Sequence, residues 1–174
     1  MRNHLFVLAF ATLAAACSTT TERPALSASS RVCPSGIVRS DAELERYEGC
    51  TRVSGDLTVE GVSTLESLSE LRQVDGALRI QHTRRLFTLA GLENLVNLSE
   101  LSLRRNHALI NARSLNGVRQ VFHVTISENP RLSQSFGLLK GLAMQPDEIS
   151  IAENAGLDAE GLDLPRTGLL IAKR

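Results

Sequence analysis

Five apolar-polar-apolar triplets punctuate the chain: Leu57-Thr58-Val59, Leu78-Arg79-Ile80, Leu101-Ser102-Leu103, Val124-Thr125-Ile126 and Ile149-Ser150-Ile151. Their starts are 21, 23, 23 and 25 residues apart. Eight residues after each start stands a leucine: Leu65, Leu86, Leu109, Leu132 and Leu157. Fourteen after come Leu71, Leu92, Leu115 and Leu138, and seventeen after come Val74, Leu95 and Val118. Alternation inside the triplet predicts a short strand, and the spacing of three that follows predicts turns that each drop one side chain inward. A set of amphipathic helices is the competing reading, since Leu65, Leu68 and Leu71 share a helical face. The phase resets at every triplet, however, and Gly55, Gly76, Asn129-Pro130 and Asn154-Ala155-Gly156 would interrupt any long helix.

One coil cannot bury such a row alone, whereas stacked coils merge the rows into a continuous core and pair the triplets as parallel strands. The expected fold is therefore mainly β, a β-solenoid of about five to six short coils with parallel strands. Asn106, Asn129 and Asn154 recur at one place in the coil, where Asn tolerates left-handed backbone and its amide bonds free backbone groups at a turn. Val62 and Thr83 hold the equivalent places earlier. Past Leu157 the pattern weakens. Gly168 to Ala172 reads as a last strand in either of two registers, set by Leu169 or Leu170.

Ahead of the repeats, Arg2 and the apolar run Leu5 to Ala16 make residues 1–16 a secretory signal peptide. The run is too short for a spanning helix, which needs about 20 apolar residues. It stops at Cys17, and Leu13-Ala14-Ala15-Ala16-Cys17 resembles the lipobox of bacterial lipoproteins, although Ala14 stands where that family usually has Leu. The resemblance implies a thioether lipid on Cys17, cleavage before it, and acyl chains that anchor the chain to a membrane. Ser18 in place of Asp implies outer-membrane sorting in a Gram-negative organism. The plainer reading is a signal cut at Ala-x-Ala, with Cys17 a spare thiol. Ser18 to Arg31 is rich in Ser, Thr and Ala, so residues 17–31 read as the lipidated Cys and a flexible tether, leaving 32–174 as the folded domain.

Export leaves Cys33 and Cys50 as a pair in an oxidising compartment, where a disulfide is expected. No neighbouring His or Cys set suggests metal. Between them Ser40-Asp41-Ala42-Glu43 has the form of a capping box, opening a short helix through Tyr47 that Gly49 stops. Helix and disulfide would cover the open end of the first coil.

Val32-Cys33-Pro34, Gly49-Cys50, Gly55-Asp56-Leu57-Thr58-Val59 and Gly91-Leu92-Glu93-Asn94-Leu95 together resemble the receptor L domain of the insulin and epidermal growth factor receptors and its repeat-bearing bacterial relatives. The similarity runs from Val32 to about Leu164. It implies a right-handed solenoid of short parallel strands with an N-terminal capping helix and disulfide. In the receptors such domains bind polypeptides; hormone reception does not carry over, because no cysteine-rich module, spanning segment or kinase is present in this sequence.

If the triplet ends point inward, Thr58, Arg79, Ser102, Thr125 and Ser150 line the outward face. Asp56, Glu60, Gln81, Glu100, Arg104, His123, Ser127 and Glu148 flank them. Arg79, His82, Arg84, Arg85, Arg104, Arg105 and His107 give this strip a basic centre suited to an acidic polymer or a carboxylate-bearing partner; a solvated face without function is the plainer reading. The candidate binding face is Arg79, His82, Ser102, Arg104, Arg105, His123 and Thr125, with Ser102, Arg104, Arg105 and His107 left free in the middle coil. Without residues 1–16 the chain carries 18 Lys plus Arg against 19 Asp plus Glu, a balance that draws it to no nucleic acid. Sugar recognition commonly uses aromatic platforms, and beyond the signal there are only Tyr47, Phe87, Phe122 and Phe136, of which Phe122 is placed for exposure. No catalytic triad, HExxH or metal-spaced set appears, so no catalytic residue, metal or cofactor is assigned. The expected function is a membrane-tethered, non-catalytic binding module for a protein or cell-envelope ligand. A structural envelope lipoprotein is the alternative, and a polysaccharide-active solenoid enzyme a more distant one.

Overall fold

Each predicted triplet lies inside a strand of the computed structural model, which describes residues 30–133, 142–143, 146–154 and, for backbone alone, 169–172. The signal segment, Cys17, Leu138 and Leu157 lie outside the described residues. The strands are β1 (Val32–Val38), β2 (Arg52–Glu60), β3 (Gln73–Gln81), β4 (Asn97–Arg104), β5 (His123–Ser127), β6 (Glu148–Ala152) and β7 (Leu169–Ala172). They form one parallel sheet in chain order. Leu57, Leu78, Leu101, Val124 and Ile149 are partners in succession, as are Val59, Ile80, Leu103, Ile126 and Ile151, so the predicted register holds rung by rung. All ten are buried. At the last rung Leu169 pairs with Ile149 and Ile171 with Ile151, which decides between the two registers in favour of Leu169.

The first strand was not legible as a triplet. Gly36-Ile37-Val38 stands beside Leu57-Thr58-Val59, and its first position is a glycine because the Tyr47 hydroxyl occupies the space a Cβ would fill. As the edge strand of the sheet, β1 tolerates Pro34, which has no N–H to give a ladder.

β2 and β3 extend well ahead of their triplets. Gly55, with φ of +107°, lets β2 bend between its two arms, and β3 shifts register against β4 between Val74 and Ala77. The leading arms carry their own inward row, Val53, Val74 and Leu98. Counting forward from the triplets therefore mixes columns: Val74 pairs with Leu98, not with Leu95. The coil from Leu78 to Leu101 is two residues longer than the one before it, and it places Leu86, Leu89, Leu92, Leu95 and Leu98 all in the core.

The capping box opens α1 (Asp41–Leu44), which runs on into a single 3-10 turn at Glu45–Tyr47. Ser40 Oγ accepts from the Glu43 N–H at 3.3 Å. The Glu43 carboxylate reaches one residue further back than the motif predicts, to the Arg39 N–H at 2.8 Å. Cys33 of β1 and Cys50, just ahead of β2, form the expected disulfide with Cα atoms 5.9 Å apart.

The asparagine ladder is continuous. Asn129 Nδ2 donates to Leu103 O and Ser127 O, both at 3.0 Å, and Asn129 Oδ1 accepts the Asn106 N–H at 3.0 Å. Asn154 Oδ1 in turn accepts the Asn129 N–H at 3.1 Å. Thr83 ends the ladder, its hydroxyl donating to Asn106 Oδ1 at 2.8 Å. The asparagines are not themselves left-handed. That conformation falls one residue earlier, at His82, Arg105, Glu128 and Glu153, with φ between 54° and 57°, and at Gly61 in the first of these corners. Left-handed backbone costs a non-glycine residue about 1–2 kcal/mol. The amides of Asn129 and Asn154 bridge across it to the carbonyls of Ser127 and Ala152 and hold it closed.

Candidate ligand-binding face

With one side of each strand committed to the core, alternation sends three columns of β2 to β6 outward. The central column is Thr58, Arg79, Ser102, Thr125 and Ser150. One flank runs Glu100, His123, Glu148, and the other Glu60, Gln81, Arg104, Ser127. This is the predicted strip, but its electrostatics differ from the expected basic centre.

Arg79 spans three strands. Its Nη1 donates to Asp56 Oδ2 at 2.8 Å and its Nη2 to Glu100 Oε2 at 3.1 Å. Asp56 also accepts the Ala77 N–H at 2.9 Å through Oδ1, a carboxylate position that requires glycine at Gly76, where a Cβ would collide with it. The Ala77 N–H first, and Arg79 second, hold the Asp56 carboxyl below its usual range. Ser102 lies beneath this cluster and is only 6% exposed, so it is not free to meet a partner.

The same cancellation occurs at the strand exits. Arg105 Nε donates to Glu128 Oε2 at 2.7 Å, and Arg104 Nη2 stands 3.8 Å from Glu128 Oε1. The Arg105 hydrogen bond lowers the Glu128 pKa and raises that of Arg105 itself. Gln81 donates to Glu60 at 2.7 Å. Arg79 is held by two carboxylates, and Arg104 and Arg105 share that of Glu128, so the three do not make a free cationic patch. Glu128 was missed in the sequence; its signal is its place one residue after a strand, the corner Arg105 fills one coil earlier.

His82, Arg84, Arg85 and His107 follow the strands, at or beyond these corners, and are exposed. Among the described residues, Thr58 on β2 and a contiguous group on β5 and β6 are left unengaged on the sheet face. His123 is exposed, and Thr125, Ser127 and Ser150 are half-buried hydroxyls with no side-chain partner among the described residues. No group of three or more His, Cys, Asp or Glu side chains among the described residues is arranged to hold a metal.

A stack of short parallel strands, cross-braced by ion pairs and presenting one broad polar face, defines a solenoid binding scaffold. The family model of the receptor L domain matches residues 49–155, and the chain belongs to that family. Domains of this family are non-catalytic binding modules. No curated protein and no solved structure matches the chain significantly.

Proposed function

We propose that the chain is a non-catalytic binding module held to the bacterial cell envelope by a lipid on Cys17, and that it recognises a protein ligand through the outward face of β5 and β6. Its coils wind in the right-handed sense of the family, with α1 and the disulfide as the N-terminal cap. Sorting follows Ser18 to the outer membrane.

One observation carries the choice of face. The charges of β2 to β4 are spent on one another, whereas His123, Thr125, Ser127, Ser150 and Glu148 form a contiguous polar patch with hydrogen-bonding capacity to spare. The braced neighbours hold that patch rigid, which lowers the ordering cost of binding. The test is capture of envelope proteins by the full chain and by two variants, Thr125→Arg and Arg72→Glu. The first places a long charged side chain in the patch, and the second alters exposed charge outside it. A specific partner retained by Arg72→Glu and lost with Thr125→Arg supports the reading; a partner retained by both refutes the face. Cys17→Ala releasing the chain into the soluble fraction supports the anchor.

A structural role in assembly is the second reading, favoured by one feature. Val32 and Ile37 on the edge strand are 55% and 54% exposed, beside a groove of about 350 Å³ that Pro34, Arg46 and Tyr47 help to line. Self-association lost in Ile37→Lys would favour it.

A further inference from the structure

Around the bend from the ion-paired face, the leading arms of β2 to β4 present a second outward surface. Val53, Val74 and Leu98 point into the core there, so the residues flanking them point out. Arg52, Gln73, Asn97 and Gln120 make one column, each paired with the next. Asp75, Ser99 and Phe122 make the neighbouring one, tied by Ser99 Oγ donating to Asp75 O at 2.8 Å and the Phe122 N–H to Ser99 O at 3.0 Å. A groove of about 150 Å³ lies among Gln73, Asp75, Asn97, Ser99, Gln120 and Phe122.

Its charge is cancelled. Arg52 donates to Asp75 from Nε at 2.9 Å and from Nη2 at 2.8 Å, and Gln73 adds a bond to the same carboxylate at 2.7 Å. The side-chain amides of Asn97 and Gln120, by contrast, have no partner among the described residues. Each offers two donors and two lone pairs, on adjacent coils about 4.8 Å apart. Phe122 closes the groove with a half-buried ring.

We propose that this groove binds a neutral saccharide, with Asn97 and Gln120 each bonding ring hydroxyls and the Phe122 ring packing on the C–H face of the sugar. A hydroxyl both donates and accepts, which matches an unpaired amide on both counts. Among the described residues that line the groove an anionic ligand would find no free cation, and Arg52 beside it is already engaged; a purely apolar one would strand two amides without partners. The strands repeat at the scale of a sugar residue, so an oligosaccharide crossing them meets Asn97 and Gln120 in turn. This site shares no residue with the patch on β5 and β6, and the two readings stand or fall separately.

The test is saturation-transfer NMR of the purified full chain with neutral tetrasaccharides built from glucose, mannose, galactose and N-acetylglucosamine. At least one is expected to show saturated ring protons. Asn97→Ala and Phe122→Ala should each weaken it roughly tenfold, a loss of about 1.4 kcal/mol, with unchanged circular dichroism, while Thr125→Arg leaves it intact. Silence from all four sugars overturns the proposal. So does binding that survives both Asn97→Ala and Gln120→Ala, or an uncharged extended peptide that occupies these residues when no sugar does.

Discussion

Asn129→Ala separates a hydrogen-bonded ladder from a merely polar turn. The side chain is 0% exposed. Its loss takes a donor from the carbonyls of Leu103 and Ser127, each bonded at 3.0 Å, and strands the Asn106 N–H, which donates to Asn129 Oδ1 at 3.0 Å; the Ser127 carbonyl keeps the Arg105 N–H at 3.2 Å. A buried group left unsatisfied costs about 1–3 kcal/mol. The stranded Asn106 N–H and the donor lost at the Leu103 carbonyl together give a destabilisation of roughly 2–4 kcal/mol. Thr83→Val is the graded control: it removes one hydroxyl donor at the end of the ladder, and Asn106 Oδ1 keeps the Thr83 N–H at 3.3 Å. Its expected cost is about 1 kcal/mol. Urea unfolding of both variants measures the difference. If Asn129→Ala costs no more than Thr83→Val, the ladder is not a determinant of stability and water replaces the amide at the corner.

Leu109→Ala, at a 0% exposed position in the middle of the stack, is expected to cost about 2–5 kcal/mol in the same assay. Cys33→Ser with Cys50→Ser opens a loop of 17 residues and should lower stability by about 3 kcal/mol; a melting temperature equal to that of the oxidised parent chain would contradict this. Acid should destabilise the fold, because Asp56 and Glu128 have folded pKa values below their ordinary ones. The stability they lend is present in full above the unfolded values of about 4 and is lost as pH falls through the folded ones. Asp56→Asn should flatten the dependence of the urea midpoint between neutral pH and about pH 3, and an unaltered slope would deny Asp56 a share in it.

The inward half of the strands was almost fully legible in the sequence, because period-two alternation is a strong signal and every triplet contained two large aliphatic residues. β1 escaped because Gly36 replaced one of them to admit Tyr47. The longer coils misled the forward count, since one inserted turn, with Leu89 at its corner, moves every later residue to the next column. The corners were half legible: the asparagines marked them, but the strained residue is the one before, and His82, Arg105, Glu128 and Glu153 have no common side-chain chemistry to reveal it. The face was legible as a list and not as a charge pattern. Arg79 and Asp56 are 23 residues apart, and only the register brings them together.

That register is also what turns a repetitive surface into a selective one. In a parallel stack each outward residue faces its counterparts on two neighbouring coils about 4.8 Å away, so opposite charges in one or adjacent columns pair within the molecule before any ligand arrives. Exposed pairs of this kind contribute little to stability, about 0–1 kcal/mol each. Their larger effect is to remove Arg79, Arg105, Asp56 and Glu128 from the set of groups free to bind, because a ligand carboxylate would have to displace one already in place. What keeps its capacity is the uncharged part of each column, namely the hydroxyls of Thr125, Ser127 and Ser150 on β5 and β6, and the amides of Asn97 and Gln120 around the bend. Both are rich in groups that donate and accept alike, and the groove of Asn97 and Gln120 has its one ion pair closed between Arg52 and Asp75. A ligand that fits the groove of Asn97 and Gln120 is selected by the placement of hydrogen bonds rather than by charge, and its binding should therefore depend little on salt.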